Sequence, residues 1–219
     1  VKHTIGGTIM KQKNFKNFIF RILCFIVGCF IIQIGVSFFI KSNTGVDSVT
    51  IFMQGLSNIL HITVGQANML FMGIVFVGIL IFAREYIRLG TFLAVVTAGP
   101  FLDLLNQLFD PLGIESLPLI VRLAIVAISC VVIAIGFSIL KSANLSVAPT
   151  DQLPIIICDK LKWQYKWVRI TFDVILVVLG FTLGGKLGLG TIIATLLIGP
   201  CIQFFLTPIE TKITQLSRA

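Results

Sequence analysis

The chain alternates long apolar blocks with short breaks that hold most of its charged residues. Six blocks are long enough, or nearly so, to cross about 30 Å of hydrocarbon as helices. The fifth block is the shortest and carries Asp173. The predicted transmembrane helices are about Asn17–Ile40, Val64–Ala83, Leu89–Phe109, Leu119–Leu140, Val168–Gly185 and Leu187–Ile209.

Two further apolar segments, Asp47–Ile62 and Asp151–Trp163, are too short to cross comfortably. Each begins with an aspartate, a residue typical of the N-cap of a helix, and each follows an Asn-containing break. We predict short helices that are re-entrant or interfacial. Backbone of this kind is tolerated at membrane depth only where protein or a water-filled cavity surrounds it.

The two halves of the chain repeat each other. GVSFFIKSN at 35–43 returns as GFSILKSAN at 136–144, and LGTFLAVVTAGPFLDLL at 89–105 returns as LGTIIATLLIGPCIQFF at 189–205. The offsets are 101 and 100 residues, and a match at nearly constant offset indicates an internal duplication. The prediction is a single membrane domain, 1–219, with a first repeat over 17–109 and a second over 119–209.

The positive charges indicate how the repeats lie in the membrane. If the short segments do not cross, each half has three spans, and an odd number inverts the second half. With a cytoplasmic N-terminus, 14 of the 17 Lys and Arg residues lie inside, and only Lys41, Arg122 and Lys186 lie outside. We predict an all-α polytopic membrane protein of about six helices, built as two inverted three-helix repeats, with both termini cytoplasmic.

The composition supports a membrane protein. The chain is 57% hydrophobic and 12% charged, with a mean hydropathy of +1.04, whereas soluble domains are roughly 45–50% apolar and about 25% charged. The net charge of +8 could indicate a nucleic-acid partner, but the basic residues flank apolar blocks. The predicted partner is the lipid bilayer and not nucleic acid. The basic start resembles a signal peptide, but the long apolar run without a cleavage pattern favours a retained first helix.

Motifs for metal binding and catalysis are not found. The five cysteines form no CxxC pair and are expected to be reduced, buried hydrophobes, and His3 and His61 form no cluster with them. GxSxG, HExxH and phosphate-loop patterns are lacking. Asp103 and Asp173 could supply the two carboxylates of an intramembrane aspartyl protease, but without the expected surrounding motifs. We predict no metal, no cofactor and no enzymatic activity.

The breaks before the short helices supply the first candidate site. Two re-entrant helices entering from opposite faces can meet near the midplane, where their unpaired N–H groups and partial positive charge can hold a polar or anionic ligand. The candidate substrate-binding residues there are Asn43, Asp47, Asn144 and Asp151. The alternative is that Asp47 and Asp151 are only N-caps.

Carboxylates within the apolar spans are further candidates. A charge at membrane depth is costly and usually faces a partner, a cavity or a path. Asp103, whose counterpart in the second repeat is Gln203, and Asp173 are therefore candidates for binding a ligand or handling a proton. The alternative is pairing with Arg122 or Arg169, which lies four residues before Asp173.

Both LGT…GP helices contain a Gly-Pro pair, Gly99-Pro100 and Gly199-Pro200. Proline removes a backbone donor and clashes with the preceding turn, so each pair predicts a kink, and glycine allows a neighbouring helix to approach. The alternative is a hinge, or a freed carbonyl that lines a cavity.

GFSILKSANLSVAPTDQL and GLGTIIATLLIGPCIQFF resemble the YczE/YyaS/YitT group of bacterial membrane proteins, over about residues 35–205. The first half departs from the pattern because it lacks the proline of APTD. The resemblance implies a bacterial inner-membrane protein of five or six helices and carries over no mechanism.

These features favour a small transporter or permease for an unknown solute or ion, with its site between two inverted halves. The alternative is a non-transporting accessory protein that partners an enzyme or another permease. A passive channel is a third hypothesis, and a homo-oligomer or a membrane partner fits any of the three.

Overall fold

A computed structural model describes the backbone of residues 2–218 and the side chains of residues 17–215. The side chains of Lys2, Lys11, Lys13 and Lys16, which the charge count places inside, lie outside the described residues. The fold is all-α, and short 3-10 turns follow α3 and α4. The helices are α1 Lys2–Ser42, α2 Ser48–Leu60, α3 Val64–Phe82, α4 Leu89–Phe109, α5 Leu119–Ser142, α6 Pro149–Leu161, α7 Tyr165–Thr182 and α8 Leu189–Arg218.

Within the described residues, five helices are long and apolar enough to cross a membrane: α1, α3, α4, α5 and α8. The prediction of an all-α protein with several transmembrane helices is confirmed. α7 is 18 residues long, or about 27 Å, and it carries Lys166, Arg169 and Asp173. Its crossing stays a prediction.

α1 and α5 pack directly on each other through glycine. A Cβ at Gly28 would lie 2.6 Å from the backbone nitrogen of Leu140, and one at Gly35 would lie 2.9 Å from the carbonyl oxygen of Ser129. Only residues without a side chain allow this approach. Later residues of α1 meet earlier residues of α5, so the two helices are antiparallel.

α1 and α4 run in the same direction. Thr97 contacts Cys29 at 3.5 Å, and Ser37 donates a hydrogen bond to Asn106 at 2.7 Å. A later residue of α1 thus contacts a later residue of α4, which is the pattern of parallel helices. Between them, α3 runs antiparallel to α4, because Gly65 lies against Gly99 and Phe76 lies near Phe92. That α2 is re-entrant stays a prediction.

α5 and α8 begin at the same end of the molecule. Arg122 near the start of α5 donates to the carbonyl oxygen of Ser42 at 3.3 Å, and Gly190 at the start of α8 donates to that of Thr44 at 2.9 Å. α5 and α8 are therefore parallel, and the chain has to return between them. That α7 supplies this return across the membrane stays a prediction.

The break of each half caps the LGT helix of the other half. The Gly90 N–H donates to the Leu145 carbonyl at 3.0 Å, and the Gly190 N–H donates to the Thr44 carbonyl at 2.9 Å. Gly90 and Gly190 differ by 100 positions, and Thr44 and Leu145 by 101. The two halves thus make the same contact with each other in both directions.

The pairs α3–α4 and α7–α8 differ. A Cβ at Gly99 on α4 would lie 2.3 Å from Met69 and 2.5 Å from the carbonyl oxygen of Gly65, both on α3. At Gly199 on α8, no atom of the described residues lies within 4 Å of the added Cβ. At the position that corresponds to Gly65 of α3, α7 has Lys166.

Candidate functional site

Asp47 is the N-cap of α2, as its position predicts. Its carboxylate accepts a hydrogen bond from the backbone nitrogen of Thr50 at 3.4 Å and from the Thr50 hydroxyl at 2.6 Å. This satisfies one of the N–H groups that a helix leaves unpaired at its start.

The N-cap prediction for Asp151 is wrong. α6 begins at Pro149 with Ala148 as its N-cap, so Asp151 lies in the first turn. Proline suits the first helical position, because its missing N–H would have no partner there, and the helix therefore starts earlier than the aspartate. A carboxylate in the first turn still interacts favourably with the helix dipole.

Arg169 on α7 joins the two short helices. Its Nη1 donates to Asp151 of α6 at 3.3 Å, and its Nε donates to Asp173 at 3.0 Å. Asp173 also accepts a hydrogen bond of 2.7 Å from the hydroxyl of Ser48, the first residue of α2. Asp47 directly precedes Ser48 in the chain, and its carboxylate accepts hydrogen bonds from Thr50 rather than from Arg169. We call these five residues the Arg169 cluster.

The Arg169 cluster lies halfway along α7, since Asp173 is the ninth of 18 residues. It holds three carboxylates and one guanidinium, a formal charge of −2. The side chains of Arg169, Asp151 and Asp173 keep 31%, 34% and 33% of their exposure. About a third of each of these three side chains is therefore accessible to a ligand.

Asn43 and Asn144 end α1 and α5 with left-handed backbone, at φ 50° and 55°. Asparagine tolerates this conformation better than most residues. Asn43 donates to Glu115 at 3.0 Å. Among the described residues, neither asparagine hydrogen-bonds to the Arg169 cluster, so the structure places them at the breaks.

Asp103 holds the start of α3 against α4. It accepts hydrogen bonds from the Thr63 hydroxyl at 2.5 Å and from the Gly65 backbone nitrogen at 2.9 Å. These partners belong to α3 and not to the Arg169 cluster. The counterpart in the second half, Gln203, is exposed.

Pro100 lies inside α4 and Pro200 inside α8, and both helices continue past the proline. Gly99 is buried against α3, whereas Gly199 is exposed. The repeated Gly-Pro pair therefore meets two different environments.

Two members of the Arg169 cluster are not among the candidate residues from the sequence. Arg169 is recognisable only as a partner of Asp173 by its four-residue spacing. Ser48 gives no signal beyond its place after an N-cap. That both short helices begin against α7 is a property of the tertiary fold.

A family model described as "Family of unknown function (DUF6198)" matches residues 19–207. The chain is similar to the "Uncharacterized membrane protein YczE" of Bacillus subtilis, 29% identical over 199 residues, 90% of this chain and 88% of that protein. It is also similar to the "Uncharacterized protein YyaS" of Bacillus subtilis, 28% identical over 186 residues, 84% and 91% of the two chains.

An uncharacterised protein of Haemophilus influenzae is 27% identical over 178 residues, 80% of this chain and 78% of its own. No solved structure matches the chain. The resemblance to the group that contains YczE and YyaS is confirmed.

Proposed function

We propose that this chain, which belongs to the family of unknown function DUF6198, is a small membrane permease with its central site at the Arg169 cluster. The fold makes it a membrane protein with several crossing helices. Transport, rather than catalysis, is the function that its polar groups support.

One observation carries the proposal: two short helices, one from each half, begin against a charged group midway along a third helix. In many secondary transporters, discontinuous helices point their ends at substrate and coupling-ion sites near the midplane. Charged side chains at membrane depth are costly and mark substrate or proton pathways.

The charge of the Arg169 cluster favours a cationic solute or a proton. Two carboxylates contact the guanidinium and a third lies beside Ser48, so a positive ligand would offset the formal excess of two negative charges. Asp173 is the central group, because it accepts from both Arg169 and Ser48. Protonation of one carboxylate, or a bound cation, would relieve the same excess.

We further propose that the two halves are inverted repeats in a bacterial inner membrane, with both termini cytoplasmic. The antiparallel α1 and α5 and the reciprocal caps at Gly90 and Gly190 support a two-fold relation in the membrane plane. The excess of Lys and Arg on one side supports the orientation.

The difference between the halves favours a carrier over a passive channel. α3 and α4 are in close contact at Gly65 and Gly99, whereas a Cβ at Gly199 of α8 would meet no neighbouring helix among the described residues. In a carrier, one repeat moves against the other around a fixed site, and each conformation is closed on one side.

A proteoliposome screen tests the proposal. The purified full-length protein is reconstituted with the pH dye pyranine inside, and uptake of labelled amino acids, sugars, nucleosides and organic cations is followed under pH and potassium gradients. We expect at least one solute to enter, with a change in internal pH if protons are coupled. Failure of every solute and ion under every gradient contradicts the proposal.

A further inference from the structure

A pocket of about 450 Å³ opens beside the break that follows α5. It lies between the turn before α4 and the first turns of α6, on the side that the positive charges mark as cytoplasmic. The polar and charged residues of its lining that matter here are Glu85, Arg88, Lys141, Asn144, Ser146 and Gln152.

The wall of the pocket is held in an unusual backbone conformation. Asn144 and Ser146 have φ of 55° and 103°, which costs conformational energy for residues other than glycine. Gln152 fixes this loop, because its amide nitrogen donates to the Ser146 hydroxyl and to the Tyr86 carbonyl at 3.1 Å. Strain of this kind persists where the surrounding structure enforces it, and it is common at ligand sites.

The two cations of the pocket have no acidic partner in the part of the chain that the structure describes. Neither Arg88 nor Lys141 forms an ion pair there. Glu85 contributes the single carboxylate of the lining, so the pocket keeps a net formal charge of +1.

The first half shows what fills the matching helix end. α1 also has a lysine in its last turn, one position later than Lys141 at the offset of 101, and an asparagine with left-handed backbone after it. There, Lys41 pairs with Asp110, and Asn43 donates to Glu115 at 3.0 Å. Both acids belong to the loop between the two halves. At this end of α1, the negative charge is therefore supplied by acidic side chains of the same protein.

We propose that the pocket at Arg88 and Lys141 binds a phosphate group, which takes the place that Asp110 and Glu115 fill at the other helix end. A guanidinium offers paired donors that match phosphate oxygens, and the lysine adds a second charge. Asn144 and Ser146 supply further polar groups at the same opening.

Exposed aromatic rings follow the end of α6, whose Asp159 accepts a hydrogen bond from Tyr86 of the pocket lining. Trp163, Tyr165 and Trp167, which lie at or next to the turn between α6 and α7, are 64%, 50% and 61% exposed. Exposed aromatic rings of this kind are typical of the membrane interface, and basic pockets at the cytoplasmic surface bind anionic headgroups. The phosphate can belong to a lipid or to a soluble compound.

The test uses thermal unfolding of the purified full-length protein in a neutral detergent. Phosphatidylglycerol, phosphatidylcholine and inorganic phosphate are titrated separately against wild type, Arg88→Gln/Lys141→Gln and Arg84→Gln/Lys162→Gln. The last variant removes the same charge from exposed positions outside the pocket lining. Gel filtration checks folding, and Lys141→Gln alone replaces the double variant if that one fails to fold.

We expect phosphatidylglycerol to raise the melting temperature of wild type and of the Arg84/Lys162 variant, with half of the shift reached at the same lipid concentration. For the Arg88/Lys141 variant, the lipid concentration at half of the shift should be at least about tenfold higher. This factor corresponds to losing one charge-assisted hydrogen bond. A shift with inorganic phosphate that shows the same dependence supports the site and assigns it to soluble phosphate compounds. No shift with either ligand, or equal shifts in both double variants, overturns the proposal.

Discussion

Arg169 on α7 donates a hydrogen bond to Asp151 on α6 across 3.3 Å. This contact ties the first turn of one short helix to the second turn of α7. The same guanidinium holds Asp173, which receives the hydroxyl of Ser48 at the start of the other short helix. A single arginine therefore links equivalent elements of the two halves.

Replacing Arg169 should destabilise the protein. Arg169→Gln leaves three carboxylates together without their cation, and their mutual repulsion is then uncompensated. Because removing one partner of a largely buried ion pair leaves the other charges uncompensated, we expect a loss of at least about 1–2 kcal/mol. Thermal unfolding in detergent measures the loss.

The control for this change is Arg84→Gln, which removes an exposed arginine and should be neutral. In the double variant Arg169→Gln/Asp173→Asn, the loss should be smaller than the sum of the single losses, since one repelling charge is gone. Strict additivity would contradict the coupling.

Gly99 and Gly199 provide a matched pair for the packing of α3 on α4. Gly99→Ala should cost about 1–3 kcal/mol, because its Cβ would fall 2.3 Å from Met69 and 2.5 Å from the backbone oxygen of Gly65. Gly199→Ala meets no described atom within 4 Å and should be neutral or stabilising by up to about 1 kcal/mol. Equal effects on the melting temperature would contradict the asymmetry.

Asp103 and Gln203 provide a second pair. Asp103→Asn should lower stability by about 1 kcal/mol, because it weakens the acceptor for Thr63 and Gly65 at the start of α3. Gln203→Asn is exposed and should change the melting temperature little. A neutral Asp103→Asn would show that this cap is dispensable.

The proposed topology makes a labelling prediction. In a variant without the five native cysteines, single cysteines at Glu85 and Lys162 should react with a membrane-impermeant maleimide only from the cytoplasmic side. Cysteines at Ser116 and Lys186 should react only from outside. Reaction of Lys162 and Lys186 variants from the same side would show that α7 does not cross.

Much of the helix layout follows from the sequence. The bounds of α4 at Leu89–Phe109 agree with the prediction, because the LGT start and the apolar run are both local signals. The start of α6 does not, since Pro149 is a better first residue than the aspartate two positions later. Local chemistry decided both outcomes.

The site follows from the sequence only in part. Asp47, Asp151 and Asp173 are recognisable as costly or capping carboxylates, and the structure brings Asp151 and Asp173 to Arg169 while Asp47 caps α2 beside Ser48. Asp103 has the same sequence signal, yet it caps α3. The difference depends on which helices pack together, and no local pattern encodes that.

The most direct test of the central claim is uptake by proteoliposomes that contain wild type, Asp173→Asn or Asp159→Asn. The solute is the one found in the screen with wild type. Asp159 is an exposed residue of α6 that accepts from Tyr86, so its variant controls for the loss of a carboxylate. We predict that Asp173→Asn abolishes gradient-driven uptake while Asp159→Asn retains it. Equal uptake by all three would contradict a transport site at the Arg169 cluster.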